Sequence, residues 1–253
     1  MKRIIFLILI IGTSFSVFAS TNDNLELFEK ANKLYSEKKY ENAIEIYKKI
    51  ENSGFHSTEL YYNLGNSYYR AGNITNAILY YEKAKLISPA DDDIDHNLSL
   101  AKELVYNKIV PMPEFAPVRW YKQFIGLASA DTHAFYSVLS FILLLSAIFI
   151  YLFSANKRIK TISFFASAFL LMFSVSTFIF AQSSYKQLNS KTSAIVTGPV
   201  VSVKSSPDAN STELFSVHEG LKVKITDNSD RWYEVVFEDG RVGWLKKDEL
   251  ALI

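Results

Sequence analysis

His56, His96, His133 and His218 are the side chains best suited to acid–base or metal chemistry, and they fall in four different segments. None has a partner at metal-ligand spacing. Cysteine is absent, which excludes disulfides, cysteine zinc sites, a thiol nucleophile and a lipidated cysteine. There is no G-x-S-x-G, H-E-x-x-H or phosphate-loop pattern, so any Ser/His/Asp set would have to be assembled from unrelated segments. The run Asp91-Asp92-Asp93 could be a metal cluster or a helix start. Consecutive side chains on a helix do not converge, so capping is the better reading. We therefore expect a non-enzymatic chain with no cofactor and no metal. Its 253 residues carry a net charge of +1, which gives no reason to expect nucleic acid as a partner.

The element that must position everything else is an apolar double run from Ala134 to Ala181. Residues 134–153 and 161–181 are about 20 residues each, uncharged and free of Gly and Pro, enough at about 1.5 Å per residue to cross a hydrocarbon core. Residues 154–160 between them hold Lys157, Arg158 and Lys160, a basic turn expected in the cytoplasm. The competing reading, two buried helices of a soluble core, fails because the flanking segments are too small to wrap both.

At the N-terminus, Lys2 and Arg3 precede the apolar Ile4–Ile11, and Val17-Phe18-Ala19 offers a cleavage site. Residues 1–19 are expected to be a signal peptide. An uncleaved anchor is the alternative, because Thr13 to Phe18 stays fairly apolar. Either way residue 21 onward starts outside the cytoplasm, which agrees with the basic turn lying inside.

Residues 21–107 repeat with a period of 34: Leu27 returns as Tyr61, Ala31 as Gly65, Leu34 as Tyr68, Ala43 as Ala77, and Tyr47 as Tyr81. Small residues recur where helices cross and large ones where they fill gaps, as in a helix–turn–helix stack. The units are 24–57 and 58–91, with a capping helix at 92–107 whose Leu98, Ala101 and Val105 cover the open end. The second unit, with Leu64-Gly65, Tyr68, Gly72, Ala77, Tyr81, Ala84 and Pro89, closely resembles the tetratricopeptide (TPR) consensus. The first is looser, with Lys38 where Gly is usual and Phe55 where Pro is usual. The resemblance implies a peptide-binding groove lined by Phe28, Asn32 and Tyr35, then Tyr62, Asn66, Tyr69 and Arg70. Carboxylate-clamp TPR proteins are similar at Asn32, Asn63 and Asn66, but Phe28 and Asp93 stand where lysines are expected. Consensus filler is the competing reading of these Asn and Tyr residues. As ligand-facing positions, Asn66 and Tyr69 are expected to be dispensable for folding, unlike Tyr81.

Residues 108–133 form a connector in which Pro111, Pro113 and Pro117 stop the preceding helix. Trp120 and Tyr121 suit a bilayer interface, with Arg119 and Lys122 at headgroups and Phe124 to Ala128 lying along the membrane. Asp131 is expected to cap the first span.

Residues 190–253 turn to β-branched residues and turns, and five or six short strands should form a partly open barrel. The order V-x-V-K-x-x-P, EG-x-x-V-x-I, W-x-x-V, DG-x-x-GW-L resembles the bacterial SH3-like family, with Trp232 and Gly243-Trp244 its most specific residues. That family binds cell-wall peptides or protein segments, which implies Trp232, Tyr233 and Trp244 as ligand-binding residues. Core packing is the competing role for the two tryptophans.

The fold class expected is a multidomain membrane protein: an all-α TPR helical repeat, a two-helix transmembrane hairpin and a C-terminal small all-β SH3-like barrel. The whole order resembles the BatE-type membrane proteins of the aerotolerance (Bat) operon. That resemblance implies von Willebrand factor A-type membrane proteins and a MoxR-type ATPase as partners, and a role in oxygen tolerance or envelope stress. The expected function is a scaffold or adaptor in the inner membrane, with both modules on the periplasmic side and the lipid bilayer as a partner. The alternative is a peptidoglycan sensor or anchor acting through the barrel.

Overall fold

The computed structural model describes residues 23–106 and 112–253; the expected signal peptide and Pro111 lie outside the described residues. Five helices open the described residues: α1 (23–36), α2 (Tyr40–Asn52), α3 (Thr58–Arg70), α4 (Ile74–Ile87) and α5 (Asp92–Glu103). They pair as two helical hairpins plus a capping helix. Asp91 caps α5 by accepting from the backbone N–H of Asp93 and Ile94, and the three following acidic residues of the first turn favour the dipole. Leu98 and Ala101 are buried in the stack, as expected of a cap, but α5 ends at Glu103 rather than 107.

The small residues of the 34-residue period lie at helix crossings. Ala43 and Ala77 are fully buried. A Cβ on Gly65 would stand 2.5 Å from Tyr81 Cδ1, so α3 and α4 approach as closely as they do only because position 65 has no side chain. Lys38 has φ 61°, matching Gly72 at φ 81° one repeat later. The first unit thus places a lysine in a left-handed position that costs a non-glycine residue about 1–2 kcal/mol.

α6 (Ala116–Gly126) lies within the expected connector, with Pro117 in its first turn, where a missing N–H costs nothing. Pro117 therefore starts a helix instead of stopping one. α7 (Ala130–Phe153) and α8 (Lys157–Asn189) form an antiparallel hairpin, both long and apolar enough to cross a membrane. Ser129, not Asp131, caps α7 by accepting from the Thr132 N–H. The turn is only 154–156: Asn156 caps α8 through Arg158 N–H, so Lys157, Arg158 and Lys160 sit in the helix and not in a loop. α8 also continues eight residues past Ala181, delivering the chain directly to the sheet.

Inside the hairpin the seam is small and polar. Ser137 Oγ donates to the Ser174 carbonyl and Ser174 Oγ donates back to the Ser137 carbonyl, each at 3.1 Å. Large side chains such as Phe141, Ile142, Leu145, Phe149, Phe169 and Phe178 are exposed on the outside. Small residues at the seam with apolar residues outward are compatible with packing in lipid, which leaves α7 and α8 as candidate membrane spans.

The C-terminal domain has seven antiparallel strands: β1 (Ser193–Val196), β2 (Val200–Lys204), β3 (Glu213–His218), β4 (Lys222–Ser229), β5 (Trp232–Phe237), β6 (Val242–Lys246) and β7 (Leu250–Leu252). Their order is β3-β2-β6-β5-β4-β1-β7. One more strand forms than the five or six expected, because the three-residue Leu250–Leu252 pairs with β1. Three residues are too short to show alternation. β2 meets β6 only at Lys204 and Trp244. Gly243 makes that crossing possible, since a Cβ there would collide with Val203.

The two modules are packed together. Ile195 of β1 is fully buried in the helical core, and Val105 touches both cores. Thr75 Oγ1 donates to Glu219 at 2.7 Å, and Lys222 Nζ to Glu82 at 2.7 Å. Thr75, Ile78 and Glu82 form one face of α4, at helical spacing, and the barrel covers it.

Candidate functional site: the asparagine ladder and the tryptophan face

α1, α3 and α5 stand side by side, joined by a repeated polar unit. Asn32 Oδ1 accepts from the Tyr47 hydroxyl at 2.5 Å and from Asn63 Nδ2 at 3.1 Å. Exactly the same offsets recur one repeat on: Asn66 Oδ1 accepts from the Tyr81 hydroxyl at 2.7 Å and from Asn97 Nδ2 at 3.1 Å. Asn97 Nδ2 also donates to the Tyr62 hydroxyl at 2.8 Å. Burial pushes the Tyr47 hydroxyl up to about 12 and raises that of Tyr81 as well, so both remain protonated donors at any physiological pH.

This ladder locks each amide. With Oδ1 doubly engaged, the Nδ2 hydrogens of Asn32 and Asn66 make no hydrogen bond among the described residues. They are oriented donors suited to peptide carbonyls. Phe28 packs edge-on against Tyr47 with ring centroids 5.7 Å apart, and Tyr35 against Tyr40 at 5.4 Å. Tyr69 is half-buried against the core. Arg70 is exposed and interacts with the Tyr35 hydroxyl of the neighbouring repeat. The seven groove residues expected from the sequence thus lie along the helices α1 and α3. The barrel covers a different face of the stack, that of α4, and leaves the ladder uncovered.

The expectation that Asn66 is dispensable for folding does not fit the geometry. Its Oδ1 is the acceptor for Tyr81, which is 1% exposed, so removing it leaves a buried hydroxyl without a partner. Asn97 belongs to the same unit and was missed, although the offset that relates Asn32 to Asn66 also relates Asn63 to Asn97.

On the barrel, the register of β5 and β6 pairs Trp232 with Lys246 and Glu234 with Trp244. Strand alternation then puts Trp232 and Trp244 on one face and Tyr233 on the other. Tyr233 packs against the barrel core, with Lys247 Nζ 4.9 Å from its ring centroid. Trp232 is 8% exposed, yet it lines a cavity of about 530 Å³ with Arg231, Lys246, Lys247, Asp230 and Asp248. The structure therefore puts the two tryptophans on one face and Tyr233 on the other, and only Trp232 of the three lines the cavity.

Residues 58–91 match the family model of the tetratricopeptide repeat. Residues 199–251 match that of the bacterial SH3 domain. The chain carries both modules, and the matches fall on α3–α4 and on the sheet from β2 to β7. No curated protein matches the chain. The modules suggest protein binding for the first and protein or cell-wall binding for the second.

Proposed function

We propose that the protein is a non-enzymatic, membrane-anchored scaffold of the bacterial envelope, whose TPR groove holds an extended segment of a partner protein. The observation that carries it is the ladder: two amides 34 residues apart, each locked by a tyrosine and a second asparagine, each with Nδ2 donors that no described residue engages. An extended peptide offers carbonyls along its length, and preset donors lose little entropy on binding it. The α7–α8 hairpin anchors the scaffold in the inner membrane, supported by its apolar exterior and its small polar seam. Both modules lie on the periplasmic side, a reading supported by the basic residues at the start of α8. The likeness in domain order to BatE-type proteins supports von Willebrand factor A-type membrane proteins as partners, in an aerotolerance or envelope-stress complex. A MoxR-type ATPase needs cytoplasmic ATP, and among the described residues it would reach the 154–156 turn and the start of α8.

A second reading is favoured by the tryptophan face. Its cavity pairs an indole with two lysines, an arginine and two aspartates, a set suited to peptides bearing both carboxylates and amines, such as those of peptidoglycan. Photo-crosslinking residues placed in the full-length protein at Tyr69 and at Trp244, in growing cells, separate the two. Protein adducts at Tyr69 support the scaffold. Wall fragments at Trp244 with no adduct at Tyr69 replace it with the wall-anchoring reading.

A further inference from the structure

Where α4, α5, α6, α8 and the barrel converge lies a cavity of about 390 Å³ whose wall is part charged and part apolar. Lys85, Lys102, Lys122 and Lys222 line it against Glu82 and Glu238, an excess of two positive charges in the wall. Glu82 already engages Lys102 and Lys222. Among the described residues, Lys85 and Lys122 are held only by the surface carboxylates Asp95 and Glu114, in exposed pairs that contribute little and exchange readily. Ser184 is 8% exposed and lines the same cavity, and its Oγ is the buried side-chain polar atom without a hydrogen-bond partner among the described residues. Buried hydroxyls are nearly always satisfied, so an orphan of this kind marks a missing partner.

A second cavity of about 750 Å³ adjoins the first and shares Lys85, Pro89 and Gly126 with it. Its wall is apolar, formed by Trp120, Phe124 and Leu127 of α6 and the residue after it. Each of these three side chains is more than half exposed. Ser184 lies three residues beyond Ala181, where the apolar run of α8 ends, and Tyr121 bonds Ser183 in the same turn. The pair of cavities therefore sits at headgroup depth if α7 and α8 span the bilayer.

From this geometry we infer a binding site for one anionic phospholipid. Its phosphate is received by Lys85, Lys122 and the Ser184 hydroxyl, and an acyl chain lies along Trp120, Phe124 and Leu127. The site rests on the membrane-anchored reading of the hairpin. It would clamp the folded modules against the bilayer, because the lipid touches the TPR stack, α6 and α8 at once. Charge complementarity at one end and apolar wall at the other exclude a free phosphate as the natural occupant, which would leave the second cavity unfilled.

The test uses the full-length protein in nanodiscs of phosphatidylcholine with a minority of phosphatidylglycerol, followed by native mass spectrometry of the released protein–lipid complexes. One phosphatidylglycerol is expected to be retained in preference to phosphatidylcholine. The double variant Lys85→Gln/Lys122→Gln should lower that preference about thirtyfold, the worth of two lysine contacts with an anionic headgroup. Ser184→Ala should lower it by a smaller factor at unchanged melting temperature. Inorganic phosphate at millimolar concentration should not displace the lipid. Equal retention of the two lipids, no effect of the double variant in a protein that melts normally, or displacement by inorganic phosphate each overturns the site. Failure of the protein to float with pure phosphatidylcholine vesicles would instead overturn the hairpin reading beneath it.

Discussion

Glu82 of α4 and Lys222 of β4, 140 residues apart in the chain, meet at 2.7 Å and join the helical stack to the barrel. Lys102 takes the other carboxylate oxygen at 2.7 Å. Burial pushes the Glu82 carboxyl up, but the two ammonium groups outweigh burial and hold it below the usual carboxylate range. A carboxylate with a depressed folded-state value adds stability above the unfolded value near 4.5 and loses it as pH falls through the folded one. The contact is therefore complete at neutral pH and weakens only in acid. We expect the two modules to melt in one transition at pH 7 and to separate into two only once the pH has fallen through the folded-state Glu82 value, which lies below 4.5. Lys222→Ala should cost about 2 kcal/mol at pH 7, since Glu82 keeps one partner but stays buried. Calorimetry at pH 7 and below that folded-state value checks both.

Asn66 has two chemical faces, and substitutions can separate them. Asn66→Asp keeps acceptors for the Tyr81 hydroxyl and removes the Nδ2 donors. It should fold nearly as well as the wild type and lose capture of a partner segment. Asn66→Ala removes both and should destabilise by about 1–2 kcal/mol, the cost of an orphaned buried hydroxyl. Denaturant unfolding beside crosslinking yield at Tyr69 gives the comparison. Normal capture by Asn66→Asp would remove the ladder from recognition.

Lys38 occupies the left-handed corner that Gly72 occupies in the second repeat. Lys38→Gly should raise stability by about 1 kcal/mol, the relief of backbone strain less the added freedom of the unfolded chain. A shift of the urea midpoint to higher concentration at constant slope is the expected reading. A shift to lower concentration would mean that the lysine side chain contributes something the corner geometry does not show.

The hairpin has a directional consequence. Reporter domains inserted at Gly54 and at Asn210, both in exposed turns, should be found outside the cytoplasm, and one at Ala155 inside it. An external reading at Ala155 would reverse the topology and with it the compartment of both modules.

Most of the architecture was legible because it is written in periods. The 34-residue offset exposed the repeats, uninterrupted apolar runs exposed α7 and α8, and alternation with an Asp-Gly turn exposed the central strands. Each signal is local, produced by residues that share one helix face or one strand. Even Lys38, Gly65 and Ala77 could be assigned their places from the repeat alone. What the tertiary structure decided lies between elements. That Asn66 spends its oxygen on Tyr81 and Asn97, that Trp232 and Trp244 share a face while Tyr233 does not, and that Glu82 waits for Lys222 are facts of register and docking. A charged residue in an amphipathic helix carries no mark of the partner it will meet 140 residues later, because that meeting depends on how two finished modules fit. The burial of Ile195 in the helical core, and the cavity that Ser184 lines beside Lys222, arise only when that fit is made.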